Sequence, residues 1–329
     1  MAVYTHLSAE ALELLIGEYD VGELVSAKGI AEGVSNSNWV VETTTGRFIL
    51  TMYEHRVDAA DLPFFLGLLD HLSSRGSPVP RTIHDRDGAP FRTIADPGSE
   101  PGTGKAVALI EFLPGVSIDT PRPAQARAVG EALAGMHLAA ADFPQRRENT
   151  MGLAAWRKLL GDCGERLADI DAGLPSLVAR ELDFLEANWP RGMARSVIHA
   201  DLFPDNVLML GNRVSGLIDF YFACTDIMAY DLAVTHAAWC FAADGSFRPA
   251  IGEALVAGYN ECRPLPPAAW AALPVLARGA AMRFLASRAY DWLHTPADAL
   301  VTRKDPMVFA RRLAFYEAEG ERVFRAPAA

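Results

Sequence analysis

The chain has 329 residues, half of which are hydrophobic, and a formal net charge of −11 at pH 7; this length and composition indicate a globular protein with a large core and exclude a disordered chain. The acidic balance, without a Lys/Arg run, argues against a nucleic-acid-binding surface, because phosphate backbones are bound through clustered cations. No stretch reaches the roughly 18 apolar residues of a membrane span, and the chain starts without a leader pattern, so we expect a cytoplasmic protein without a membrane partner.

The start of the chain predicts an amphipathic helix and a small antiparallel sheet. Ser8 stands before an apolar periodicity that runs to Tyr19, which is typical of a capped helix. Three stretches rich in apolar and β-branched residues predict strands at residues 24–30, 38–43 and 47–53. Between the first two lies a loop of small residues, Gly29 to Asn36, whose backbone amides suit the phosphates of a nucleotide. Glycine-rich hairpin turns of this kind also occur as plain structural features.

A helix and a longer strand complete this first part. Apolar residues at helical spacing between Asp61 and Ser73 predict a helix that packs on the sheet. Residues 106–113 predict an apolar strand that runs into Pro114-Gly115, a suitable place for a boundary. We therefore expect one domain at residues 1–113 and a second at residues 114–329.

The second part predicts mostly helices. Apolar periodicities indicate helices at residues 123–140, 153–169, 176–189 and 231–241, and the last third, residues 246–322, also has a helical pattern. His137 lies on the first of these helices. A histidine on a mostly apolar helix is more often a packed residue than a ligand.

The stretch from Val197 to Asp226 carries the polar residues with the clearest chemistry. Two short apolar strands in it are joined across Gly211-Asn212, residues that tolerate the positive φ of a tight hairpin turn. If this turn is right, Asn206 at the start of the hairpin lies beside Asp219 at its end. Asp201 stands on the loop at the same end of the hairpin, so one amide and two carboxylates meet there.

These residue types suit phosphoryl transfer. Mg²⁺ takes hard oxygen ligands and keeps much of its water, so Asp219, Asn206 and the phosphates of ATP are enough to hold it. Asp201 fits the second carboxylate, which orients a substrate hydroxyl and accepts its proton as the γ-phosphoryl group leaves. We expect His199 to brace this catalytic loop by hydrogen bonds. A metallohydrolase that uses His199 and three carboxylates, including Asp205, is an alternative, but further histidine ligands are missing nearby.

The order of these residues resembles a known family. His199-x-Asp201-x-x-x-x-Asn206, followed thirteen residues later by Asp219-Phe220, is similar to the motifs of the protein-kinase-like superfamily in its small-molecule branch, the aminoglycoside phosphotransferase family. Within that family, phrases such as HADLFPDNVLMLGNRVSGLIDFYFACTD and YDWLHTP resemble the bacterial homoserine kinases. The resemblance implies an α+β, two-lobed protein-kinase-like fold, with a small antiparallel-sheet N-terminal lobe and a larger, mostly helical C-terminal lobe. It also implies an enzyme that uses ATP and Mg²⁺, as a monomer or homodimer.

The resemblance implies which residues contact ATP. The family's phosphate-pairing lysine in the third strand and its glutamate on the next helix are both absent here, so Lys28 is a candidate substitute. An ordinary solvated strand residue is the alternative for Lys28. The full set implied for ATP is Lys28, Gly29, Gly33, Asn36 and Asn38, with the backbone of Glu111, Phe112 and Leu113 at the adenine.

The implied acceptor is L-homoserine, phosphorylated on its side-chain hydroxyl on the way to threonine. An α-carboxylate needs planar, bidentate donors. Arg278, Arg283 and Arg288 stand at five-residue steps in one apolar helix, and we select Arg283 and Arg288 as candidates. Ion pairs within the protein are the alternative role for these arginines, with Asp291, Asp298 or Glu317 as partners.

Aromatic residues complete the expected acceptor pocket. Tyr221, Trp239 and Tyr290 are candidates for its wall, although core packing is the alternative for such residues. Asp205 is the candidate for the amino group of homoserine. Asp231, in this resemblance, stabilises the catalytic loop rather than acting chemically.

Two other functions stay open. Another small-molecule kinase of the family would act on an aminoglycoside, choline, a methylthioribose or a sugar; the arginines favour a carboxylate-bearing acceptor over a polycation. The missing lysine and glutamate suggest a non-catalytic nucleotide-binding protein. The intact Asp201, Asn206 and Asp219 argue against that function. Consumption of ATP discriminates between these functions.

Overall fold

The computed structural model describes residues 7–30, 36–54, 58–95, 104–296 and 303–326. The chain divides into two compact units. The first comprises Met1–Gly115 and Ser215–Tyr221, and the second comprises Val116–Val214 and Phe222–Ala329. The domain limits suggested by the sequence, at residues 113 and 114, stay a prediction.

An antiparallel sheet forms the body of the first unit. Its strands are β1 (Leu24–Gly29), β2 (Asn36–Thr43), β3 (Arg47–Tyr53), β4 (Thr82–Ile83), β5 (Arg92–Ala95) and β6 (Gly104–Glu111). They lie in the order β1-β2-β3-β6-β4, and β5 also pairs with β6. The predicted strands are confirmed with small changes at their ends. Because β6 ends at Glu111, Phe112 and Leu113 follow the strand instead of belonging to it.

Helix α1 (Ala9–Gly17) and this sheet share one hydrophobic core. The Oγ atom of Ser8 accepts a hydrogen bond from the backbone N of Ala11 at 3.1 Å, which is the predicted cap. The buried residues of this core are Leu12, Leu15, Ile16, Tyr19, Val21, Trp39, Val41, Leu50, Met52, Val107 and Leu109. The core residues that β2 and β3 contribute are every second residue of each strand, because successive side chains of a strand point to opposite faces of the sheet.

Helix α2 (Leu62–Ser74) follows β3 and confirms the helix predicted there. Pro63 lies in its first turn, where a missing N–H costs nothing. The hydroxyl of Thr82 in β4 donates to the carbonyl of Leu66 at 3.1 Å. This bond joins the short strand to the helix.

The second unit is mostly helical. Its helices are α3 (Pro123–Ala139), α4 (Leu153–Cys163), α5 (Leu167–Ile170), α6 (Leu174–Asn188), α7 (Met228–Trp239), α8 (Pro249–Cys262), α9 (Pro267–His294) and α10 (Met307–Val323). The single helix predicted at residues 153–169 is wrong, because the helix stops at Cys163 and a short 3₁₀ turn separates it from α5. None of the helices in the described ranges combines the length and apolarity that a membrane crossing requires.

Helix α7 is the centre of this unit. All twelve of its residues are buried, as expected for a helix that is apolar on every side. It begins at Met228, three residues before the predicted start, so Asp231 lies inside its first turn. A buried carboxylate at this place needs partners, and the catalytic loop supplies them.

One short strand precedes the polar loop in the sequence, and three follow it. Strand β7 (Arg195–Ile198) pairs antiparallel with β10 (Cys224–Ile227). Strands β8 (Val207–Leu210) and β9 (Arg213–Leu217) form a two-stranded sheet. Gly211 between them has a φ of +65°, which confirms the predicted hairpin.

Candidate active site

The loop that follows β7 is pinned by the buried carboxylate of Asp231. Its two oxygens accept hydrogen bonds from the backbone N of His199 at 2.7 Å and of Ala200 at 2.8 Å. Ala200 has a φ of +63°, a left-handed conformation that costs a non-glycine residue about 1–2 kcal/mol. The two bonds hold this strained turn directly before Asp201.

Asp231 is itself held by a buried pair. The Nε2 atom of His137 lies 3.0 Å from Oδ2 of Asp231, and its Nδ1 lies 2.8 Å from the hydroxyl of Tyr259. Burial raises the pKa of Asp231, but the hydrogen bonds with His137 and the backbone of His199 outweigh it and hold that pKa below its ordinary value. His137 is packed, as predicted. Asp231 accepts hydrogen bonds from the loop, and its role in stabilising the loop stays a prediction.

Other contacts fix the rest of the catalytic loop. The indole N–H of Trp239 donates to the carbonyl of Leu202 at 2.9 Å, and a guanidinium nitrogen of Arg283 donates to the carbonyl of Ala200. The backbone N of Asp201 donates to Nδ1 of His199 at 3.3 Å. His199 thus lies where bracing of the loop requires it. A loop held this firmly presents the Asp201 side chain in one orientation.

The carboxylate of Asp201 has a mixed environment. Its side chain is 18% exposed, and its Oδ1 lies 3.7 Å from the nearly buried guanidinium of Arg283. Burial raises the pKa of Asp201, and the charge of Arg283 opposes this rise. Since a raised pKa makes a carboxylate a better proton acceptor, the environment suits a general base.

Asn206 is oriented by the same loop. Its Nδ2 donates to the backbone carbonyl of Asp201 at 2.8 Å and lies 3.4 Å from a carboxylate oxygen of that residue. Both of its side-chain hydrogen bonds within the described part of the chain use the amide nitrogen. The amide oxygen takes part in neither of these two bonds. It is a hard ligand of the kind that Mg²⁺ prefers.

Asp219 belongs to the first unit and stands two residues after β9. Its φ of +65° is a conformation that Asp and Asn tolerate better than most residues. The hydroxyl of Tyr221 donates to that of Tyr53 at 3.3 Å, and the two rings meet edge to face. Burial raises the pKa of Tyr221 to about 12, and the nearby carboxylate of Asp219 adds to the rise. A carboxylate oxygen beside these hydroxyls also fits a hard cation.

The metallohydrolase alternative needs a cluster of histidine and carboxylate ligands. Across residues 7–30, 36–54, 58–95, 104–296 and 303–326, no three His, Cys, Asp or Glu side chains form such a cluster. A site built from one amide oxygen, one carboxylate and nucleotide phosphates is of a different type. Asn206 and Asp219 each carry an oxygen of the kind that this second type uses, and their joint role stays a prediction.

Comparison with known proteins identifies the family. Residues 26–265 match the model of the phosphotransferase enzyme family. The chain belongs to this family. A homoserine kinase of Xanthobacter autotrophicus is 49% identical over 318 residues, which cover 97% of this chain and 97% of the relative. A homoserine kinase of Brucella canis is 50% identical over 317 residues, covering 96% of this chain and 94% of the relative.

A solved structure supports the fold of this phosphotransferase. The spectinomycin phosphotransferase in complex with ADP and spectinomycin aligns with a TM-score of 0.72 at 13% identity, over 96% of this chain and 99% of that one. Together with the relatives, this likeness confirms the predicted family and the kinase-like fold class. The chain is a kinase, and the roles of its individual residues stay predictions.

In the phosphotransferase, the residues predicted near the ATP phosphates lie at the edge of the first unit's sheet. Lys28 is exposed on β1, opposite Val40 of β2. Gly29 ends β1 opposite Trp39. Gly33 lies outside the described residues.

The two asparagines of β2 differ in their contacts. Asn36 is buried, and its Oδ1 has no hydrogen-bond partner among the described residues. The Oδ1 of Asn38 accepts a hydrogen bond from the hydroxyl of Thr51 at 2.8 Å. Thr51 lies in the segment of β3 that corresponds to the place of the family's lysine. A neutral hydroxyl and amide pair thus occupies that place.

The sequence did not reveal a buried ion pair in the same sheet. The Nζ of Lys105 in β6 lies 2.8 Å from a carboxylate oxygen of Glu54, which follows β3. Glu54 also accepts a hydrogen bond from the hydroxyl of Ser37 at 2.8 Å. The strand predicted from the sequence began at residue 106, whereas β6 begins at Gly104, so Lys105 lies inside the strand.

The predicted adenine segment begins at the end of β6. Glu111 is the last residue of that strand, and its side chain accepts from Arg81, with Nε and Oε2 3.2 Å apart. Phe112 and Leu113 follow in extended loop before Pro114. Their backbone contacts with a nucleotide stay a prediction.

The three arginines of α9 have different surroundings. Arg278 pairs with the fully buried Glu181 of α6, at 2.7 Å between Nη2 and Oε2. The internal partners that the sequence suggested did not include Glu181, and Glu317 pairs with Arg180 instead. Arg283 is 2% exposed and binds the catalytic loop.

The aromatic residues predicted for the acceptor pocket each have contacts of their own, and their role in a pocket stays a prediction. Trp239 is 1% exposed and supports the catalytic loop through Leu202. Tyr290 stacks on His294, with ring centroids 4.1 Å apart. Tyr221 belongs to the first unit. Asp205, in contrast, is exposed in the short turn that precedes β8.

Proposed function

We propose that this phosphotransferase transfers the γ-phosphoryl group of ATP to the side-chain hydroxyl of L-homoserine. The products are O-phospho-L-homoserine and ADP, and the reaction is a step toward threonine. The single observation that carries the choice of acceptor is the identity of about half of all residues with homoserine kinases over nearly the full chain. A cytoplasmic site of action is part of the proposal, because ATP is the donor.

Asp201 is the base in this proposal. It accepts a hydrogen bond from the acceptor hydroxyl, orients the oxygen toward the γ-phosphorus, and takes the proton as the O–P bond forms. Support comes from the loop contacts that fix this side chain and from the burial that raises its pKa. Arg283 keeps the carboxylate in place beside the loop and offsets part of the cost of burying it.

Asn206 and Asp219 are the proposed ligands of Mg²⁺. One precedes the first strand of the β8–β9 hairpin and the other follows its second strand. The orientation of the Asn206 amide supports the assignment, since its nitrogen is committed to Asp201. Mg²⁺, when bound, neutralises charge on the phosphates and on the group that is transferred.

The first unit is the proposed nucleotide-binding lobe. Backbone amides from Gly29 to Asn36 cover the phosphates, and the backbone from Glu111 to Leu113 binds adenine. Lys28 is exposed and contributes its charge to the phosphates from the edge of the sheet.

Release of ADP tests the proposed function. The purified chain is incubated with ATP and Mg²⁺, and L-homoserine, L-serine, choline, methylthioribose and kanamycin are each offered as acceptor. We expect ADP release with L-homoserine alone, and a product 80 Da heavier than the acceptor by mass spectrometry, about the mass of one added HPO₃. Release with a different acceptor only, or none with L-homoserine, would contradict the proposal.

A further inference from the structure

Two arginines converge on one buried aromatic ring in the second unit. The Cζ atoms of Arg288, on α9, and Arg312, on α10, both lie 4.5 Å from the ring centroid of Phe309. The Phe309 side chain is fully buried. A guanidinium over an aromatic ring keeps its N–H groups in its own plane, free to bind at its edge.

Neither guanidinium has a carboxylate oxygen within the distance of an ion pair among the described residues. Arg288 donates one long hydrogen bond, of 3.4 Å, to the carbonyl of Asp305. Arg312 donates to the carbonyl of Ala237 at 2.6 Å, and its Nε is buried without a hydrogen-bond partner among the described residues. Two neighbouring cations that lack an anion favour a ligand that carries one.

The charges around Arg288 support the same conclusion. Burial, followed by repulsion from Arg312, lowers the pKa of Arg288 to about 10. The carboxylates of Asp305, Asp201 and Asp205, in decreasing order of effect, oppose this shift. Arg288 therefore lies within electrostatic reach of the proposed base, and a bound anion would relieve the repulsion between Arg288 and Arg312.

The arginine pair is also connected to the catalytic loop by packing. Phe203, within that loop, meets Phe284 of α9 edge to face, with centroids 4.8 Å apart. Phe284 in turn lies 5.0 Å from Phe309. These three rings fix the distance between the arginine pair and the loop, as a rigid site requires.

The other arginines of α9 are already engaged. Arg278 is paired with Glu181, and Arg283 is committed to the catalytic loop. Only Arg288, of these three, lacks a carboxylate partner among the described residues. The sequence pattern brought out these three arginines, of which we selected Arg283 and Arg288 as candidates. It gave no signal for Arg312, because only a helical stretch was predicted there.

We propose that Arg288 and Arg312 bind the α-carboxylate of the acceptor, with Phe309 as the surface on which both guanidinium groups rest. This inference rests on the proposed function and names the part of the site that selects a hydroxy acid. Exposed Asp205, beside the base, takes the amino group of the same molecule. The cationic pair discriminates against aminoglycosides and choline, which are themselves cations.

Substitution of the arginines tests this assignment. Arg288→Gln and Arg312→Gln are assayed with L-homoserine and with 3-aminopropan-1-ol, which is homoserine without its carboxylate. Loss of a charge-assisted hydrogen bond predicts a KM for L-homoserine that rises at least about tenfold, with the KM for ATP within about twofold of wild type. Activity with the amino alcohol, which is weak in the wild type, stays the same.

Arg322→Gln is the matched control. It removes one positive charge from the same helix, where Arg322 is exposed and pairs with Glu319 at 2.6 Å. Its kinetic constants are expected to equal those of the wild type. Because Arg312→Gln also loses the bond to Ala237, melting temperatures are measured, and Arg288→Gln decides the outcome if Arg312→Gln does not fold.

The two failures are distinguishable. A wild type that does not phosphorylate L-homoserine overturns the proposed function, and this inference with it. A wild type that does, together with an unchanged KM for L-homoserine in Arg288→Gln, overturns the carboxylate site alone. An equal loss of activity with homoserine and with the amino alcohol also overturns it, because the effect would not depend on the carboxylate.

Discussion

The chemistry of Asp201 depends on what surrounds one carboxyl group. Burial favours its protonated form, whereas Arg283 at 3.7 Å favours the charged form. The effect of burial is the larger of the two, so the carboxylate is more basic than an ordinary aspartate. The hydrogen bonds of the loop also restrict its orientation. A kinase base needs both properties, since it orients a hydroxyl before it takes the proton.

Asp201→Asn tests this role. The amide has nearly the same shape but accepts no proton at this position, so we expect kcat to fall by about 10²–10⁴. The KM for ATP should stay within about twofold, and the cooperative thermal transition should be retained. Steady-state kinetics measure kcat and the KM for ATP, and a melting curve measures the thermal transition. Asp183→Asn, at a side chain that is 78% exposed, is the control and should retain full activity; near-normal turnover in Asp201→Asn would exclude it as the base.

At the scale of elements, α7 and the catalytic loop act as one structure through Asp231. Its oxygens satisfy two backbone N–H groups at the left-handed turn of Ala200, and His137 and Tyr259 support it from behind. Asp231→Asn places an amide nitrogen against one of these N–H donors. Leaving a buried donor without an acceptor costs about 1–3 kcal/mol.

The same carboxylate predicts a dependence of stability on pH. The pKa of Asp231 is lower in the folded chain than its ordinary value, so its stabilisation is complete above the unfolded pKa, about 3.9, and is lost as pH falls through the folded value. Urea unfolding at a series of pH values should show a shallower acid loss for Asp231→Asn than for the wild type. Parallel curves for the two proteins would contradict this account.

Helices α3 and α8 cross so closely that glycine is required on each. An added Cβ at Gly130 would overlap the carbonyl of Leu255, and one at Gly258 would overlap the carbonyl of Arg127. We expect Gly130→Ala and Gly258→Ala each to lower the free energy of unfolding by about 1–3 kcal/mol or more.

Gly135→Ala is the matched control on α3. A Cβ at Gly135 would meet nothing within 4 Å, so this change should stabilise the helix by about 0.5–1 kcal/mol. Chemical unfolding of the three variants measures the difference. An equal change in the free energy of unfolding for Gly130→Ala and Gly135→Ala would show that the packing of α3 on α8 does not require glycine.

At the scale of the whole molecule, the sequence predicted what is encoded locally. The strands β2 and β3, the cap at Ser8 and the turn at Gly211 each depend on a few neighbouring residues, and the structure confirms them. The set Asp201, Asn206 and Asp219 was equally accessible, because all three lie within nineteen residues. Their assigned roles still depend on experiment.

Contacts between distant parts of the chain carried no such signal. Glu181 pairs with Arg278 across 97 positions, and a pairing of this kind leaves no periodicity to detect. The pair of Lys105 with Glu54 depends on the register of β3 with β6. The role of Arg312 needed the ring of Phe309 and the position of α9 together. These contacts depend on how the helices and strands pack together, which cannot be inferred from a single sequence.

Ligand binding should stabilise the whole chain in a metal-dependent way. A ligand at a hundred times its Kd adds about 2.7 kcal/mol to the free energy of unfolding, which for a chain of 329 residues raises the melting temperature by roughly 2–4 °C. We expect this shift with ATP and Mg²⁺, and a smaller one when EDTA removes the metal. In Asp219→Asn and Asn206→Ala, ATP should give the small shift whether or not Mg²⁺ is present, because the proposed ligands are gone. Differential scanning fluorimetry measures the three proteins with ATP, each with and without Mg²⁺. A full Mg²⁺-dependent shift in both variants would show that other residues hold the metal.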